Sequence, residues 1–332
     1  MSSLSKRFNI DEPRWDQSTF IGRLKYFASV TDPRLVVLPT RKYLEAKTLV
    51  EQYRAGKEPA GTTQKQLFYA QKLYKSAFHP DTGDLQNVAG RMSFQVPGGT
   101  ILIGAMLAFY RSTGQVIFWQ WTNQSFNALV NYTNRNAKSP ISTQRLVFAY
   151  VSATGSALAV AIGLKAFLAG RAGNLAQRLV PLAAVVAANC VNIPLMRQTE
   201  LSHGITLLDD QNNETSVRSR LAAAKAIALV LISRIVIAAP SMIAVPIIME
   251  RLEKYAWFTT RRNALNTPFQ ALLSGAFLLF TVPLGCALYP QRNYISTKTL
   301  EKYEKAAYDE AKKQAEATGT KVPEYFYFNK GL

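Results

Sequence analysis

Acidic residues are scarce in this chain, and cysteine and histidine are scarcer. Asp and Glu number 21 against 39 Lys and Arg, which leaves a net charge of +18, and there are only two Cys and two His. That balance suits an anionic membrane surface or a nucleic acid. The basic residues are scattered rather than striped and form no recognised nucleic-acid module, so no nucleic-acid partner is expected. Cys190 and Cys286 lack CxxC spacing and fall in apolar runs, which reads them as buried small hydrophobes. Neither His79 nor His203 has a nucleophile at a recognisable spacing, so the reading is no enzyme, no catalytic residue and no cofactor. No glycine-rich nucleotide loop is present, which argues against ATP-driven work. The N-terminal run MSSLSKRFNIDEPRW has no hydrophobic signal core and carries Asp11 and Glu12, unlike an acid-poor presequence; no cleavable address is expected.

What the chain does have is concentrated in its middle. The mean hydropathy is near zero, but apolar windows run over 96–110, 146–169, 176–194, 226–249 and 268–289. Several reach the roughly 20 residues that cross about 30 Å of hydrocarbon. The expected fold is all-α: an integral membrane bundle of about five transmembrane helices over 96–290, a polar helical N-terminal region over 1–95 and a short helical polar tail over 291–332. The first window is short enough to be re-entrant. In the N-terminal region Thr40 is placed as the N-cap of a helix ending at Gly56, and Thr63 with Gln66 as a capping box. In the tail, 300–317 reads as one surface helix with Glu301 and Lys305 as an i,i+4 pair. Pro97, Pro181, Pro240, Pro246 and Pro283 interrupt the apolar segments, as in broken helices that line a binding site.

Residues 119–135, WQWTNQSFNALVNYTNR, hold four Asn and two Gln among aromatic and aliphatic residues. On a helix, Gln120, Asn123, Gln124, Asn127, Asn131, Asn134 and Arg135 fall within roughly 120° of arc. Asn is a poor helix former because its side chain competes for backbone groups, so this density is costly as filler. Three readings stand level. The stripe is glue between helices, or it lies at the membrane surface with the tryptophans among headgroups, or it lines a path for a small, polar, net-neutral solute, since amides both donate and accept without charge. Asn189, Asn192 and Arg234 are further polar groups at membrane depth, and Arg234 is a candidate for a substrate carboxylate or a structural arginine. The turn FHPDTGD, with His79, Asp81 and Asp84, reads as a structural turn whose role is otherwise unknown. A single His beside two carboxylates is a weak metal signal, so no metal site is expected.

Several runs together resemble one family. They are EPRWDQSTF (12–20), HPDTGD (79–84), GRMSFQVP (90–97), FWQWTNQSFNALVNYTNR (118–135), AYVSATGSA (149–157), AANCVNIPLMRQ (187–198) and FNKGL (328–332). The chain resembles the sideroflexins, specifically the type 1/3 branch, over essentially its whole length. One departure is Asp84, where the family's turn usually ends in Glu. The resemblance implies a multi-pass protein of the mitochondrial inner membrane that transports serine and other small neutral amino acids for one-carbon metabolism. Its partners would be those amino acids, membrane lipid and possible inner-membrane proteins. The candidate ligands of the amino acid are Asn123, Asn127, Asn131, Asn134, Asn189, Asn192 and Arg234. The alternative is a scaffold or assembly factor for respiratory or iron-handling complexes.

Overall fold

Thr19 begins the first helix by accepting from the Gly22 amide, which satisfies one of the N–H groups that a helix start leaves unpaired. A computed structural model describes residues 7–79, 82–134, 142–169, 171 and 173–331. The chain divides into two compact units, one of residues 1–141 with 241–287 and one of 142–240 with 288–332.

The first unit opens with α1 (Phe20–Val30), α2 (Thr40–Arg54) and α3 (Gln64–Ala77). The Thr63–Gln66 capping box forms as the spacing predicts. The expected Thr40 cap does not: Thr40 is already helical, Pro39 precedes it at φ −67° and ψ 149°, and no side chain caps the start. The proline ring holds the extended, half-in conformation of a cap residue, so the helix starts one residue earlier than the threonine suggests. Tyr43, Val50 and Leu73 pack the α2–α3 hairpin, with Ile10 laid across it. Gln71 fastens that strap by donating to the Ile10 and Glu12 carbonyls at 2.6 and 2.7 Å. Then come α4 (Gln95–Phe109) and α5 (Thr113–Thr133).

The second unit holds α6 (Thr143–Leu168), α7 (Asn174–Arg178), α8 (Val180–Met196), α9 (Gln198–His203) and the strands β1 (Ile205–Leu208) and β2 (Glu214–Ser219). Along α6 the residues Ala149, Ala153, Ala157 and Ala161 are buried at every fourth position, and α8 packs closely on α6. Small residues at that spacing let two helix backbones approach, the usual basis of helix association in lipid. Next, α10 (Arg220–Leu252) runs unbroken through Pro240 and Pro246, and passes between the units at Pro240. In the first unit, α11 (Ala256–Thr260) and α12 (Arg262–Ala287) follow. There α12 lies directly on α4: a Cβ on Gly104 would meet Ala271 Cα at 2.9 Å, and one on Gly275 would meet Thr100 at 3.1 Å.

Among the described residues, five helical segments are long and apolar enough to cross a membrane: Met92–Phe109, Thr143–Leu168, Ala176–Met196, Arg220–Leu252 and Arg262–Ala287. They coincide with the five windows of the sequence, and the first is a continuous helical run. Their outer faces carry Ile101, Phe148, Phe167, Leu272 and Phe280, each more than half exposed. Water would penalise that surface, whereas hydrocarbon accepts it. Cys190 follows the same logic. It is exposed on α8 rather than buried as expected, because Ala188 and Asn192 occupy the inward face of that turn; Cys286 is half-buried.

The helical class holds, with one addition the periodicities did not yield. β3 (Arg292–Ser296), α13 (Thr297–Tyr303), α14 (Lys305–Thr318) and β4 (Tyr325–Asn329) complete the second unit. The four strands form an antiparallel sheet in the order β2-β1-β4-β3. Leu207, Val217, Phe326 and Phe328 pack under Ala307 and Ala311 of α14. The expected single tail helix is split at Glu304. Its carboxylate instead caps α10, accepting from the Arg220 amide at 2.6 Å and the Ser219 hydroxyl at 2.5 Å.

Candidate functional site

The amide stripe lies on α5, and the helix is built inside out. Ser112 and Gln115 form a reciprocal capping box that fixes its start. Gln120, Asn123 and Gln124 are buried, while Ile117, Phe118, Trp121, Leu129 and Tyr132 are exposed. A helix in water turns the other way, apolar side inward. The three-residue turn after α4 makes an antiparallel pair with α5, locked by Phe109 stacked on Trp119 at 6.0 Å and Phe94 against Phe126 at 6.1 Å.

The amides divide by what they touch. Gln120 donates to the Tyr110 hydroxyl at 2.8 Å, and burial pushes the Tyr110 phenol up to about 12, so it stays protonated. Gln120 Oε1 and Asn123 Nδ2 are buried with no hydrogen-bond partner among the described residues. These are one acceptor and one donor, on adjacent turns of one face. A buried polar atom without a partner is rare and calls for a cause, such as a ligand or water. Asn127 and Asn131 continue the row and are half-buried. Asn134 is committed at both ends of its carboxamide: Oδ1 accepts from Gln86 at 2.7 Å, and Nδ2 donates to the Gly90 carbonyl at 3.1 Å and to that of Val130 at 3.0 Å. It fastens the end of α5 to residues 86–90. Arg135 lies outside the described residues.

A second polar row escaped the sequence reading. Asn266, Gln270, Ser274 and Thr281 are buried along α12 inside a membrane-crossing segment. Gln270 donates to Asn266 at 3.0 Å, and the Ser274 hydroxyl has no partner among the described residues. The spacing of these side chains, four, four and seven residues, was the available signal; the apolar residues between them masked it.

The remaining candidates lie in the second unit. Asn189 donates to the Val185 carbonyl one turn back on α8 at 3.0 Å. Asn192 is buried beside Ile193, which packs on Ile227 and Val230 of α10. Arg234, one turn further along α10, is half-buried. The candidate residues are therefore distributed over both units, α5 in one and α8 with α10 in the other.

The FHPDTGD motif is a closed turn. The His79 amide donates to the Asp84 carbonyl and the Gly83 amide to the His79 carbonyl, each at 2.9 Å. Gly83 sits at φ +68°, where a side chain would be strained, and Lys47 donates to its carbonyl at 2.8 Å. His79 is buried and Asp84 exposed, while Asp81 lies outside the described residues. Among the described residues no three His, Cys, Asp or Glu side chains converge as metal ligands would.

Residues 9–332 match the sequence model of the sideroflexins. Sideroflexin-2 of Bos taurus is 54% identical over 325 residues, covering 98% of each chain. Sideroflexin-2 of Homo sapiens is 53% identical over 330 residues, again covering 98% of each. Sideroflexin-1 of Mus musculus is 49% identical over 324 residues, covering 98% of this chain and 97% of that one. Identity to the Sideroflexin-2 relatives, 52–54%, exceeds that to the Sideroflexin-1 relatives, 47–49%, so overall identity does not favour the expected type 1/3 branch. No solved structure matches the chain. With motif runs, five membrane-length helices and full-length similarity all in agreement, the chain belongs to the sideroflexin family.

Proposed function

We propose that this protein is a multi-pass transporter of the mitochondrial inner membrane that carries serine and other small neutral amino acids, supplying one-carbon metabolism. The observation that supports this most is the inverted α5, which buries Gln120, Asn123 and Gln124 and exposes its aromatic residues. Burying an amide oxygen and an amide N–H without partners, as at Gln120 Oε1 and Asn123 Nδ2 among the described residues, costs free energy. A zwitterion returns it, because its ammonium and hydroxyl groups donate to an acceptor such as Gln120 Oε1, and its carboxylate accepts from a donor such as Asn123 Nδ2. Neither amide carries charge, so the row favours cargo of zero net charge. The buried row on α12 offers further neutral donors and acceptors. Asn134 is left out of the binding set because its carboxamide is engaged.

The test is uptake of labelled serine into liposomes holding the purified protein. Gln120→Leu and Asn123→Leu should each cut uptake about 10-fold or more, the size of one lost buried hydrogen bond, while serine uptake by the wild type should be competed by alanine or glycine and not by aspartate or lysine. Unchanged uptake in both variants would remove α5 from the path. Absence of flux through the purified wild type would favour the scaffold reading.

A further inference from the structure

The N-terminal region contains a cleft that the transport reading does not use. It has a volume of about 390 Å³ and runs between α1 and α3 beside the strap at Trp15. Four cations line it, Arg14, Lys65, Lys72 and Lys75, and among the described residues no carboxylate does. Lys72 is neutralised by Asp32 at 2.8 Å. Lys75 makes no ion pair among the described residues, and burial pushes its ammonium below the ordinary lysine range, with Asp11 only partly opposing that and Arg54 adding to it. A desolvated ammonium beside further cations is unfavourable, and an anion from outside relieves it. The aromatic walls are Trp15 and Phe68, over both of which the Arg14 guanidinium lies, at 5.2 and 4.7 Å from the ring centroids.

The position of the cleft narrows the anion. Tyr26 and Val30 of α1 form part of its wall, and the same two residues pack in a cluster with Ala287, Cys286 and Met92. Ala287 is the last residue of one membrane-crossing segment and Met92 the first of another. Arg23 ties α1 to that level by donating to the Ala287 carbonyl at 2.8 Å. The cleft therefore stands one layer of side chains from two span ends, where headgroup phosphates lie. We infer that it is a binding site for the phosphodiester headgroup of an anionic phospholipid, with Lys65 and Lys75 on the phosphate and the aromatic walls against the glycerol and upper chain.

The inference is independent of what is transported. It is tested on the full-length protein in neutral detergent, by thermal unfolding with short-chain phosphatidylglycerol, with phosphatidylcholine of equal chain length, and with inorganic phosphate. Phosphatidylglycerol should raise the melting temperature by several degrees, and phosphatidylcholine should not. Lys65→Gln/Lys75→Gln should melt close to wild type without lipid, since neither lysine makes an ion pair among the described residues, and should lose at least two thirds of the shift. Lys312→Gln/Lys313→Gln, an equal loss of charge on the exposed face of α14, should keep it. An equal shift in both double variants would mean diffuse attraction to a basic protein and would overturn the site. Inorganic phosphate reproducing the whole shift would overturn the lipid assignment.

Discussion

Asp32 shows how much one side chain organises. It accepts from Arg34 and Lys72 at 2.9 and 2.8 Å and its side chain is only 10% exposed, so the Arg34 guanidinium first, with Lys72, holds its carboxyl well below the usual carboxylate range. A folded-state pKa depressed in this way gives stability that is complete above the unfolded value near 4 and is lost as pH falls toward the folded value. Asp32→Asn should therefore cost about 2 kcal/mol at neutral pH, with the gap to wild type narrowing as thermal unfolding is measured at progressively lower pH below about 4. Glu304→Ala should act at a distance in sequence, because it strips the amide of Arg220 and the hydroxyl of Ser219 of their acceptor; a loss of about 1–2 kcal/mol is expected, read in the same assay. Neither role was legible in the sequence. Lys72 is 40 residues from Asp32 and Ser219 is 85 from Glu304, and local spacing carries no information about partners so far away. Local chemistry was legible where both partners were near, as with Thr63 and Gln66.

Elements were read well where one period dominated. The five apolar windows became five membrane-length helices because the roughly 20-residue hydrocarbon requirement is written directly in hydropathy. The sheet was missed because its strands are short and lie in polar segments, although YFYFN at 325–329 has the aromatic composition strands favour. The pairing of helices was also hidden: nothing in the local sequence of α4 marks Gly104 as the residue that meets Ala271 of α12. That contact yields a sharp expectation. Gly104→Val must push α4 and α12 apart and should cost about 1–3 kcal/mol, whereas Gly114→Ala, which meets nothing within 4 Å at the exposed start of α5, should be neutral or slightly stabilising. Equal melting temperatures for the two variants would mean that α4 and α12 do not pack as closely as described.

At the scale of the whole molecule the decisive property is which surfaces face hydrocarbon. Exposed Phe148, Phe167, Leu272 and Phe280 and the outward aromatics of α5 make sense together only if lipid surrounds them. Cys190 offers a chemical readout of that surface. It is exposed on α8, within the segment Ala176–Met196, and about 6 Å along the helix from the middle of that segment at 1.5 Å per residue. A thiol on the lipid-facing side of that segment lies in hydrocarbon, which a charged reagent does not enter. In a Cys286→Ala background, Cys190 in liposomes should therefore resist a charged maleimide supplied on both sides of the membrane, yet label fully once the protein is unfolded in dodecyl sulfate. Adding Lys313→Cys on the exposed face of α14 should give prompt labelling at that position, proving the reagent active. Prompt labelling of Cys190 itself would place this face of α8 in water, and α8 would then border an aqueous path instead of the bilayer.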